Sequence, residues 1–236
     1  MSNKNRKNEV NVVGDQMNFA GKEAYNLLRT NLKFAMRREG RNARVIGVTS
    51  SVHGEGKSLT TVNMAYSLAS GGSKVLVLEC DLRLPTLGAK LGLVGGSGLS
   101  NMLADIPVTD EILHTHVLTR NLNVILAGDI PPNPSELLGS KAMGTIIDKM
   151  SGYYDFILLD LPPVGAVSDA LVVSKLVDGV VIVVRQDVTN SADLMNTVRQ
   201  LNQVDANIAG FVFNDASSKH RGYGKAYGNY YYNKSN

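Results

Sequence analysis

A chain of 236 residues suits one domain with short appendages, and 44% apolar with 19% charged residues is an ordinary globular composition. A net charge of +3 is too small to argue for nucleic acid, and the single cysteine, Cys80, excludes an internal disulfide and fits a reducing compartment. The opening MSNKNRKNEV lacks the apolar stretch of a signal peptide, and no apolar run approaches the roughly 20 residues of a membrane span, so a cytoplasmic chain is expected.

Residues 1–17 are polar and Asn/Lys-rich and are expected to be flexible. From 18 to 38, Ala24, Leu27, Leu28, Leu32 and Ala35 recur at helical spacing, with Lys22, Arg29, Lys33 and Arg37 between them. This predicts an amphipathic helix ahead of the main domain, within a segment 18–42, facing the core or a neighbouring subunit. The main domain, 43–215, alternates strands at 43–50, 74–80, 122–128, 154–160, 178–185 and 207–214 with helices near 57–70, 108–115, 140–151, 167–176 and 190–203. In PPNPSELL, Asn133 as N-cap and Pro134 at the first helical position start one more helix. Several strands are unbroken Val/Ile/Leu runs, as expected when both faces of a parallel sheet are covered. The fold class is therefore α/β, three-layered, with its ligand beyond the carboxyl ends of the strands.

After Asn214 the periodicity stops, and residues 216–236 form a tail. It holds Tyr223, Tyr227, Tyr230, Tyr231 and Tyr232, five of the nine tyrosines in the chain. Such a tail is either a low-complexity segment without a chemical role or a substrate.

At the end of the first strand stands SSVHGEGKS, residues 50–58, leading straight into a helix. Gly54 and Gly56 let the backbone turn and aim its amides inward, and the helix N-terminus adds positive potential, a combination suited to a polyphosphate. The nucleotide site is expected from Gly54, Glu55, Gly56, Lys57, Ser58 and Leu59, with Lys57 on the β- and γ-phosphates and the Ser58 hydroxyl on Mg²⁺. Ser51 stands where the strict pattern G-x-x-x-x-G-K-[ST] begins with glycine. Two other strand ends supply carboxylates: Glu79 and Asp81 in KVLVLECDLRLP, on one side of an extended chain, and Asp160 in YDFILLDLPP. They can orient Mg²⁺ waters, and one can take a proton from an attacking hydroxyl. ATP is favoured over GTP, because Pro163 stands where a GTPase carries the glycine of D-x-x-G, and N-K-x-D is absent. Asn214, at the end of the last strand, is placed to meet an adenine edge.

The set GEGKS, ECDLR, DLPP, GDIPPNPSELL and a tyrosine-clustered C-terminus resembles the bacterial tyrosine kinases of capsule and exopolysaccharide synthesis, over a span running from EAYNLLRTN at 23–31 through the tail. The resemblance implies a MinD-like phosphate-loop fold binding ATP and Mg²⁺, with Ser58, Asp81 and Asp160 about the metal. It implies a protein-tyrosine kinase in which Asp81 or Glu79 is the base. Neighbouring subunits of a ring would phosphorylate one another's tail tyrosines. It further implies activation by the cytoplasmic end of a transmembrane polysaccharide co-polymerase adaptor, which would bring the chain to the inner face of the membrane, and a cognate tyrosine phosphatase. Two positions depart from the family pattern. Glu79 replaces the first Asp of D-x-D-x-R, and Asn26 replaces the middle Arg of E-x-x-R-x-x-R, where Glu23 and Arg29 match and would serve oligomer contacts.

Two rivals remain. A partitioning or cell-division ATPase of the ParA/MinD type would carry a second lysine early in the phosphate loop, where this chain has Val52. A nucleotide-binding adaptor without kinase activity would present its tyrosines to another enzyme.

Overall fold

The strand runs are apolar at consecutive positions because helices cover both faces of the sheet. The computed structural model describes residues 13–35, 42–107 and 111–216. Strands β1 (Arg44–Ser50), β2 (Val75–Glu79), β3 (Leu113–His114), β4 (Leu122–Ile125), β5 (Phe156–Asp160), β6 (Gly179–Arg185) and β7 (Ile208–Asn214) form one sheet in the order β3-β4-β2-β5-β1-β6-β7. All pairings are parallel except β3 with β4. Alternate residues feed opposite cores. Ile46, Val48, Val77, Leu158 and Val181 pack on one face with Leu32 of α1 (Phe19–Ala35) and Val62, Ala65 and Leu68 of α2 (Lys57–Ser70). Val45, Leu76, Leu78, Leu159 and Ile182 pack on the other face. There they meet α4 (Leu99–Leu103), α5 (Pro134–Leu138), α6 (Lys141–Met150), α7 (Asp169–Val173) and α8 (Ser191–Gln203). The central strands β1, β5 and β2 end at Ser50, Asp160 and Glu79, and Asp160 lies in register with both Val48 and Glu79. The three motifs of the sequence thus converge at one edge.

Three features differ from the sequence expectation. No helix forms at the described part of 108–115: Leu113 and His114 pair antiparallel with Ile125 and Val124. An open edge of β4 offers backbone hydrogen bonds that outweigh the weak helix preference of a stretch with Ile112 and Thr115. The helices α3 (Leu87–Leu91) and α4 are five residues each, too short to display a period. Finally, residues 13–17 of the expected flexible segment are folded: Gly14–Gln16 is a 3₁₀ turn, Val13 and Met17 are buried, and the Gly14 amide donates to Asn63 Oδ1 of α2 at 3.0 Å.

Helix α1 lies on α2, where Arg29 Nη1 donates to the Ser67 carbonyl at 2.8 Å. Phe19, Leu27 and Phe34 are exposed, and Phe19, Glu23, Leu27 and Phe34 follow one stripe at helical spacing.

Candidate active site

The loop between β1 and α2 turns through left-handed backbone at Gly54 (φ 84°) and Gly56 (φ 88°), as the glycines predict. At Gly56 the constraint is also spatial, since a Cβ there would lie 2.2 Å from Asn214 Nδ2. That amide nitrogen donates to the Glu55 carbonyl at 2.9 Å, so Asn214 braces the loop while bordering the cavity above it. Glu55, counted among the nucleotide contacts from sequence, has a buried side chain turned into the protein. Its carboxylate accepts from the amides of Ser51 (2.6 Å) and Val52 (2.8 Å) and from the Thr189 hydroxyl. The side chain therefore holds the loop shape from behind, and only its backbone is left to face a ligand.

Lys57 and Ser58 open α2. Lys57 Nζ lies 2.9 Å from Asp81 Oδ2 and 3.9 Å from Asp160 Oδ1, all three side chains being nearly inaccessible to solvent. Burial alone would lower the lysine pKa, but attraction to Asp160 and Asp81 outweighs it and raises the pKa, so the ammonium stays charged. Burial raises the pKa of Asp160, opposed by Lys57 and by a hydrogen bond from the Ser58 hydroxyl.

The two carboxylates of ECDLR have different surroundings. Asp81 faces the cavity, with Oδ1 accepting from the Leu84 amide at 3.1 Å and Oδ2 on Lys57. Glu79 is buried and fully engaged: Oε1 accepts from the amides of Thr86 (2.7 Å) and Leu87 (2.6 Å), and Oε2 from Ala127 (3.0 Å). Burial raises its pKa against the pull of these donors. Through Oε1 this carboxylate holds the N-terminal end of α3.

A cavity of about 530 Å³ opens over the loop, walled by Lys57, Ser58, Asp81, Lys90, Arg185 and Asn214, with Leu59 also at its border. Arg185 was not among the residues the sequence singled out. Its Nη1 donates to the Gly54 carbonyl at 2.9 Å, and its Nη2 meets Asp215 Oδ2 at 3.0 Å. The signal was available: GVVIVVR ends an apolar run with a cation at the ligand edge of the sheet. Behind Asp81, Arg83 bridges to the first turns of α7 and α5, with Nε 2.8 Å from Asp169 Oδ2, Nη2 3.1 Å from Asp169 Oδ1 and Nη2 3.2 Å from Ser135 Oγ. The Ser135 hydroxyl also donates to Asp169.

Of the residues expected at oligomer contacts, Glu23 is exposed and accepts from Asn26 Nδ2 at 2.9 Å, whereas Arg29 is turned onto α2 of its own chain. The tail tyrosines Tyr223, Tyr227, Tyr230, Tyr231 and Tyr232 lie outside the described residues. Among the described residues, no group of three or more His, Cys, Asp or Glu side chains could hold a metal alone. The Ser58 hydroxyl and the Asp160 carboxylate instead offer hard oxygen donors beside a phosphate cradle. That donor set fits Mg²⁺, which takes one or two protein oxygens and completes its shell with phosphate and water.

A glycine-turned loop between the central strand and its helix, with a charged lysine facing strand-end carboxylates, defines a phosphate-loop ATPase domain. In agreement, residues 43–209 match the family model described as AAA domain. The relatives narrow the class. The chain is 34% identical to the tyrosine-protein kinase YwqD of Bacillus subtilis over 91% of its own length and 87% of that protein. It is 35% identical to the putative tyrosine-protein kinase EpsB of Ralstonia solanacearum over 89% of its own length, but spans only 28% of EpsB. The kinase domain of the Escherichia coli tyrosine kinase ETK superposes with a TM-score of 0.75 at 31% identity, covering 84% of this chain and 78% of that one. The chain belongs to the bacterial tyrosine-protein kinase family. MinD of Pyrococcus horikoshii, complexed with Mg-ADP, shares the fold at a TM-score of 0.60 and 24% identity, over 72% of this chain and 70% of that one.

Proposed function

We propose that this protein is an ATP-dependent protein-tyrosine kinase that phosphorylates the tyrosines of its own C-terminal tail between subunits and thereby regulates capsule or exopolysaccharide synthesis. The observation that carries this reading is the Lys57–Asp81 pair at 2.9 Å, at the head of the glycine turn and open to the cavity. An ammonium suited to phosphate and a carboxylate suited to a proton lie side by side there, which supports the reading.

In this reading, Lys57 and the amides of residues 54–58 bind the β- and γ-phosphates, and the N-terminus of α2 adds its partial positive charge. Ser58 and Asp160, with Asp81 nearby, would hold Mg²⁺, which when bound neutralises charge on the phosphates. Asp81 takes the phenolic proton as the tyrosine oxygen attacks the terminal phosphorus. A phenol with a pKa near 10 is a poor nucleophile at neutral pH, so a positioned base is useful. Glu79 is a weak candidate for that base because three amides already occupy its oxygens. Asn214 and Arg185 border the remaining cavity, where the adenine would lie.

Assembly into a ring is part of the same proposal, and the exposed stripe Phe19–Glu23–Leu27–Phe34 on α1 supports contacts there. No helix among the described residues is long and apolar enough to cross a membrane. Recruitment to the membrane's inner face is therefore assigned to a transmembrane co-polymerase adaptor, and reversal to a tyrosine phosphatase. Each phosphotyrosine adds about −1.5 to −2 charges at neutral pH, enough to drive a tail from a neighbour's carboxylate-lined site and loosen the assembly. The test is phosphotyrosine formation by purified protein with Mg-ATP, with and without the adaptor's cytoplasmic segment, against Lys57→Met. Modification by wild type and not by the variant is expected. A wild type that stays unmodified with its activator present would return the chain to the non-enzymatic adaptor reading.

A further inference from the structure

Lys90 is a half-buried ammonium in the cavity wall, alongside Lys57, Ser58 and Asp81. The other cations of that wall are paired: Lys57 with Asp81 and Arg185 with Asp215. Among the described residues Lys90 has no ion pair, and its ammonium donates only to the Thr86 hydroxyl one turn back. Leaving a partly desolvated charge without a counter-ion is costly, and burial lowers the pKa of Lys90 accordingly. The side chain is nevertheless held in place from behind. Glu79 accepts from the amides of Thr86 and Leu87 at the start of α3, and the Lys90 amide donates to the Thr86 carbonyl at 3.1 Å. The departure at Glu79 thus anchors the short helix that presents this lysine.

We propose that Lys90 is a substrate-contacting residue whose ammonium binds the terminal phosphate of the nucleoside triphosphate, supplying from α3 a second cation that the phosphate loop, with Val52 at its start, does not provide. This rests on the nucleotide site proposed above and adds to it a named source of preference for triphosphate over diphosphate. A purely structural lysine, one that only offsets the charge of Glu79, Asp81 and Asp160, would affect both nucleotides alike.

The test is a pair of binding titrations on the full chain with Mg²⁺, using ADP and the non-hydrolysable β,γ-imido analogue of ATP, for wild type, Lys90→Met and Lys90→Arg. Loss of one charge-assisted contact predicts about tenfold weaker triphosphate binding in Lys90→Met with less than about twofold change for ADP. Lys90→Arg, which keeps the charge, should recover most of the difference. Equal losses for the two nucleotides, or no loss for either, would overturn the proposal. If Lys90→Met does not fold, Lys90→Gln read in the same two titrations decides it. Because the readout is binding, absence of phosphotyrosine in a wild type that keeps this discrimination would remove the kinase reading and leave the role of Lys90 standing.

Discussion

The Arg83–Asp169 pair should be unequal in its two halves. Asp169 is fully buried, whereas the Arg83 side chain is 40% exposed, so Arg83→Ala strands a carboxylate in the interior while Asp169→Asn returns a guanidinium to water. Removing one partner of a buried ion pair costs about 3–5 kcal/mol. Discounted for water reaching the arginine side, the loss is about 2–3 kcal/mol for Arg83→Ala and about 1 kcal/mol for Asp169→Asn. For a chain of this size each kcal/mol moves Tm by roughly 2–4 °C, which predicts drops of about 4–12 °C and about 2–4 °C. Thermal unfolding followed by circular dichroism, with the double variant closing a cycle, measures both. Arg83→Lys should fall between them, because an ammonium cannot reproduce the two-pronged contact at 2.8 and 3.1 Å. Equal drops, or a larger drop for Asp169→Asn, would show that burial of the carboxylate is not what makes the pair matter.

Gly56→Ala meets both a left-handed φ of 88° and a Cβ contact of 2.2 Å, so it should cost about 1–3 kcal/mol and weaken nucleotide binding at least tenfold, read by thermal unfolding and titration. Burial raises the pKa of Asp160, so its contribution to stability is present below the unfolded value near 3.9 and lost as pH rises through the higher folded one. Asp160→Asn should therefore be inactive yet no less stable than wild type at neutral pH, with the two Tm curves converging toward about pH 4; a deficit that widens with pH would contradict this. Arg29→Ala should lower stability by about 1–2 kcal/mol through its lost contact to Ser67, with oligomer mass by light scattering unchanged. Leu27→Asp should do the reverse.

The layer order and the phosphate site were legible in the sequence because each rests on local pattern. Consecutive Val, Ile and Leu announce a strand covered on both faces, and GEGKS between a strand and a helix has few other uses. What escaped depends on partners distant in the chain. Glu79 has the strand-end position of a catalytic carboxylate, and only the fold brings the amides of residues 86, 87 and 127 onto it. Glu55 sits in the loop motif, yet its side chain is claimed by Thr189, 134 positions away. Arg29 fits an intersubunit pattern but finds a nearer acceptor in Ser67. Helices of five residues and a two-residue edge strand are too brief to leave a periodic trace.

The 2.9 Å contact between Lys57 and Asp81 also bears on timing. While the ammonium rests on it, that oxygen of Asp81 is already occupied. In the proposed reading, incoming phosphates must compete for the same ammonium, which lowers apparent affinity and, as they win, frees the Asp81 oxygen for another partner. Loading the donor and uncovering the acceptor side of the reaction would then be a single event, so that in an empty subunit a hydroxyl that wanders in finds this oxygen taken.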